Sequence, residues 1–90
     1  MERIVGSVME RGRVVAPTVS AWIEFVAGPA GRPGWCGYFE LPPGIDLTAK
    51  GYDFLASDGR AGRVKVLWSM AGGDRRLRAE FRGAGPFGKG

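Results

Sequence analysis

Histidine is absent from the 90-residue chain. With no imidazole to take a proton from a cysteine or serine, a Cys–His pair and a Ser–His–Asp triad are both excluded. Cysteine occurs once, as Cys36, so no disulfide closes within the chain, and a reducing, cytoplasmic setting is the expectation. A zinc site would need one thiolate completed by carboxylates, a rare donor set. The acids Glu2, Glu10, Glu24, Glu40, Asp46, Asp53, Asp58, Asp74 and Glu80 are scattered, without the Asp-x-Asp-x-Asp clustering of a calcium loop. Long apolar runs are missing too. The longest candidate, Thr18 to Ala27, contains Glu24 and falls short of the ~20 residues that span a bilayer, so no membrane partner is expected. Met1 to Ser7 carries no apolar signal-peptide core. No glycine-containing loop matches a phosphate-binding motif. These absences point away from an enzyme and imply no cofactor and no metal.

Glycine is what the chain has in excess, with 16 residues, accompanied by 6 prolines. The glycines fall mostly between short apolar runs, where tight turns need them. Ile4 to Glu10 reads as a strand, with Ile4, Gly6 and Val8 on one side, and Arg11-Gly12 as the turn that follows. Arg13 to Ala16 restarts a strand that Pro17 interrupts; a residue without an N–H belongs at an edge, a bulge or a corner. Thr18 to Ala27 alternates, with Val19, Ala21, Ile23 and Phe25 sharing a face. Trp35 to Leu41 follows the loop Gly28 to Gly34. Tyr52 to Ser57, Arg63 to Met70 and Arg76 to Gly83 complete the set, with turns at Asp58-Gly59 and Gly72-Gly73-Asp74. Ile45 to Lys50 is either a short helical turn or a crossing over a barrel end.

No stretch keeps helical apolar spacing free of glycine or proline, so the fold class is all-β. We expect one domain over residues 1–90, a small closed or partly open antiparallel β-barrel of about six strands, with 84–90 a flexible tail. Closure removes the exposed edges that an open sheet would leave. A two-sheet β-sandwich is the alternative. Shared parity assigns Trp35, Phe39, Phe54, Val64, Val66, Trp68 and Phe81 to the core, where Trp22, Tyr38 and Tyr52 are also expected as aromatics of a small barrel. Cys36 reads as a small packed hydrophobe.

The run Tyr52-x-Phe-Leu-x-x-Asp-Gly-Arg-x-Gly62-x-Val-x-Val66, followed by Ala79-Glu-Phe-Arg-Gly-x-Gly-Pro86, resembles a pattern in small uncharacterised bacterial six-stranded β-barrel proteins. The resemblance covers roughly the C-terminal half and consists of turn and core positions. It implies a single barrel domain, and neither an activity nor any functional residue.

Charge is unevenly placed along the chain. Residues 62–90 hold seven basic residues against Asp74 and Glu80, whereas residues 1–61 hold six against seven acids. In the last hairpin Arg63 and Lys65 alternate with Val64 and Val66, and Arg76, Arg78 and Arg82 alternate with Leu77, Ala79 and Phe81. Like charges stacked across two strands cost up to about 1 kcal/mol, which a partner bearing carboxylates or phosphates would relieve. Arg63, Lys65, Arg76, Arg78 and Arg82 are therefore the candidate binding residues. A non-enzymatic binding or scaffold module for a protein partner is the first reading, and nucleic-acid binding through the basic face is the alternative. A solvated face that serves only solubility is the plainer explanation of the same charges.

Overall fold

Ile4, Gly6 and Val8 point inward and Val5, Ser7 and Met9 do not, the period expected of a pleated strand with one buried face. The same rule organises the rest of the computed structural model, which describes residues 1–71 and 76–88. Its strands are β1 (Glu2–Glu10), β2 (Arg13–Ala27), β3 (Pro33–Glu40), β4 (Gly51–Ala56), β5 (Ala61–Ala71) and β6 (Leu77–Gly88), with one 3-10 turn at Pro29–Gly31. They close into an antiparallel barrel in the order β1-β2-β3-β6-β5-β4, with β4 paired back onto β1. That β1–β4 seam decides for a barrel over a sandwich. The order β4-β1-β2-β3 is a Greek key: three strands joined by short turns, and a fourth returned beside the first. No helix among the described residues is long and apolar enough to cross a membrane.

Arg11 and Gly12 connect β1 to β2 with φ of 50° and 79°, both left-handed, as a two-residue hairpin turn of the favoured twist requires. Arg13 to Ala16 and Thr18 to Ala27 prove to be one strand. Pro17 and Thr18 stand opposite the single residue Ser7, so the proline occupies a bulge where no ladder hydrogen bond is lost.

Inside, Phe39 stacks on Phe81 at 4.4 Å between ring centroids and packs against Phe54 at 5.4 Å, while Trp35 meets Phe81 edge-on at 5.6 Å. Val8, Val19, Ile23, Val64, Val66 and Ala79 fill the space around them. Tyr52 is buried as expected. Its hydroxyl, 3.1 Å from the Thr48 nitrogen, accepts that backbone N–H. Residues 41–50 cross one end of the barrel with no helical turn. Leu41 and Leu47 plug the lumen, and the Asp46 carboxylate accepts the Ser69 hydroxyl at 2.7 Å, tying the crossing to β5.

Two expectations are corrected. Trp68, placed in the core by parity with Val64 and Val66, is 49% exposed. Val66 pairs with Phe81 and Trp68 pairs with Glu80, so Leu67 is an extra residue and every side chain beyond it changes face. Residues 84–88, expected as the start of a tail, continue β6: Phe87 pairs with Gly62 and stacks on Trp35 at 4.7 Å. The turn at Gly72-Gly73-Asp74, and Lys89-Gly90 of the expected tail, lie outside the described residues.

Candidate functional site

The outer wall formed by β2, β3, β6 and β5 is where the candidate residues meet. Register aligns it in cross-strand rows. Trp22, Tyr38, Glu80 and Trp68 form one row, which Arg3 extends onto β1. Ser20, Glu40, Arg78 and Met70 form the row toward the plugged end, and Glu24, Cys36, Arg82 and Lys65 the row on the other side. Trp22 and Tyr38, expected in the core, are half-buried on this wall and stack on each other at 6.5 Å. Their parity is opposite to that of Ile23 and Phe39, which fill the lumen.

Three of the five basic residues share the wall. Lys65 and Arg82 face each other directly across β5 and β6, the like-charge pairing expected from the alternation, and neither has an ion-pair partner among the described residues. Arg78 lies over the Tyr38 ring at 5.0 Å, a cation–π contact on the outer face of the wall. Arg63 turns toward β4 instead and pairs with Asp53 at 3.4 Å, so part of its charge is already answered. Arg76 precedes β6 and lines a shallow dent with Arg3, Glu40 and Pro42, beyond the rows.

The wall is not uniformly basic. Glu80 stands between Tyr38 and Trp68, Glu40 accepts the Trp22 indole N–H, and Glu24 lies at its margin. Cys36 is half-buried on the same wall, on the face opposite its neighbour Trp35. Among the described residues no three metal-ligating side chains cluster.

Trp68 and Met70, 49% and 54% exposed, are the wall residues that strict alternation hides. The one cue in the sequence is Val66-Leu67-Trp68, three apolar residues in succession where a half-buried strand should alternate. The aromatic surface that surrounds Arg78 was legible only once register was known. No family model, curated protein or solved structure matches the chain.

Proposed function

We propose that this barrel is a non-enzymatic binding module that docks onto a protein partner through the β2-β3-β6-β5 wall. The carrying observation is the Leu67 bulge, which turns Trp68 and Met70 outward beside Trp22, Tyr38 and Arg78. Tryptophan, tyrosine, methionine and arginine are the residues enriched in protein interfaces and their energetic centres. An exposed tryptophan next to an exposed methionine is poorly suited to a surface that only has to stay solvated. The Lys65–Arg82 pair favours a partner segment that places carboxylates at one side of an apolar anchor. Glu24, Glu40 and Glu80 on the same wall favour a protein over a polyanion, because each would repel a phosphate backbone.

Affinity capture with matched variants tests this reading. A partner held by the native chain should be lost with Trp68→Ser and weakened with the double substitution Lys65→Ser, Arg82→Ser. It should survive Leu55→Ser, which alters an exposed apolar residue on β4, away from the wall. Capture that is indifferent to Trp68→Ser would overturn the proposal.

The Lys65–Arg82 pair also supports the second reading, nucleic-acid binding. In that case single-stranded or duplex nucleic acid binds at low salt, with affinity falling steeply as salt rises. The triple substitution Arg76→Ser, Arg78→Ser, Arg82→Ser would then weaken binding across all sequences and flatten the salt slope by about one unit per lost duplex contact. Absence of binding at low salt ends that reading.

A further inference from the structure

The barrel end opposite the 41–50 crossing contains a cleft that the wall does not use. β3 and β6 are paired from Glu40–Arg78 to Cys36–Arg82 and then part. β3 stays with β2 as far as Ala27–Pro33, while β6 detours through residues 84–86 opposite the single residue Arg63 and rejoins β5 at Gly62–Phe87. A cleft of about 450 Å³ opens in this fork, with Phe25, Pro33 and Trp35 contributed by β2 and β3, Pro86 and Phe87 by β6, and Arg32 as the one charged residue lining it. That volume lies within the range of small-molecule sites, roughly 300–1,000 Å³.

The cleft is built around the Trp35 indole. The Trp35 indole lies against Gly83 and Gly62, and a Cβ on Gly62 would come within 2.7 Å of the ring. Its Nε1–H donates to the Gly85 carbonyl at 2.8 Å, so the β6 detour supplies the acceptor that fixes the indole. Phe87 stacks on that indole and carries the Arg60 guanidinium 5.1 Å from its own ring centroid. Phe25 stacks on Phe87 at 6.2 Å yet remains 51% exposed. The Arg32 guanidinium has no ion-pair partner among the described residues.

We propose that this cleft binds a small aromatic carboxylate, a flat ring system bearing one negative charge. The ring would lie on the exposed aromatic and proline surfaces, and the carboxylate would be met by Arg32, whose planar fork suits two parallel hydrogen bonds. A single cation on an otherwise apolar lining calls for a single anionic group, and the volume limits the ligand to a few fused or linked rings. The site is independent of the wall, so failure of either assignment leaves the other standing.

The probe is 1-naphthoate, titrated into the full ¹⁵N-labelled chain while the three indole N–H signals are followed; Trp22→Phe and Trp68→Phe identify the Trp35 signal by elimination. The expected result is a saturable shift of the Trp35 signal with naphthoate, and binding about tenfold weaker for neutral 1-naphthamide. Arg32→Gln should weaken naphthoate by about tenfold and leave naphthamide unchanged, because it removes only the charge-assisted contact. Phe25→Ala should weaken both probes, with a retained native spectrum showing that the barrel is intact. Arg78→Ser, on the wall, should change neither. No saturable Trp35 shift, or naphthoate binding equally tight in Arg32→Gln and the native chain, overturns the proposal.

Discussion

At the scale of single residues, a tight constraint on side-chain size falls at Gly83. The Trp35 indole occupies the space that a side chain there would need. Gly83→Ala should displace the ring, break its bond to Gly85 and destabilise the fold by about 1–3 kcal/mol, the usual cost of overpacking. A thermal melt measures the loss, and the Trp35 indole N–H signal shows whether its hydrogen bond has gone. Arg11 is constrained by backbone conformation rather than space. It holds φ of 50° in the β1–β2 turn, a region where asparagine is more at ease. Arg11→Asn should therefore stabilise the protein by about 0.5–1 kcal/mol, read as a rise in denaturation midpoint with unchanged slope. The Arg11-Gly12 turn is legible in the sequence, but the constraint at Gly83 is not. Gly83 reads as one glycine among many until the indole of Trp35 is seen lying on it.

At the scale of strands, β5 carries the most consequence. Its first half obeys strict alternation, which is why Val64 and Val66 were legible as core; its second half does not, because Leu67 is inserted without a partner residue on β6. The corrected parity has a direct test. Phe81→Ala, which empties a buried site in the central aromatic stack, should cost about 3–5 kcal/mol and unfold much of the population. Trp68→Ser should change stability by no more than about 0.5 kcal/mol, since that side chain already faces water. Equal losses from both substitutions would return Trp68 to the interior. β1, β3, β4 and the turns at Arg11-Gly12 and Asp58-Gly59 were readable from alternation and turn chemistry alone, because their pattern and their burial agree. The basic residues of the wall were readable in the same way, but Trp68 and Met70 were not, since a bulge changes the face of a side chain without changing the residue. The fork was equally hidden. Nothing in Gly83-Ala84-Gly85-Pro86 tells a strand that detours from a tail that ends.

At the scale of the whole molecule, the two barrel ends differ in kind. The plugged end is held by the 41–50 crossing and by an ion pair between Lys50, just ahead of β4, and Glu10 at the end of β1. Hydrogen bonding to Glu10 raises the Lys50 pKa above the ordinary lysine value of about 10.5. A folded value above the unfolded one means that the contribution is fully present below about pH 10.5 and lost as pH rises through the raised value. The melting temperature of the native chain should therefore fall more steeply above about pH 10.5 than that of Lys50→Met, while the two curves run parallel near neutrality. Parallel curves at every pH would show that the pair contributes nothing measurable, as many exposed pairs do. At the opposite end Arg60, in the β4–β5 turn, pairs with Glu2 at the start of β1 at 3.3 Å, and there the aromatic stack continues from the lumen through Trp35 and Phe87 to Phe25 at the surface.

The Greek-key order also sets a timetable. β1-β2-β3 and β4-β5-β6 are each made of neighbours in sequence, so either meander forms by closing short loops. The β1–β4 and β3–β6 seams join residues far apart in the chain, and their loop-closure entropy is met only when the meanders come together. Barrel closure is then expected to be the late event in folding. A substitution in a hairpin turn, such as Gly12→Ala at φ of 79°, should act mainly by slowing the folding arm of the chevron. One on a seam, such as Ala79→Gly opposite Phe39, should act mainly by hastening unfolding, so that the lifetime of the closed barrel is governed by strands the chain brings together last.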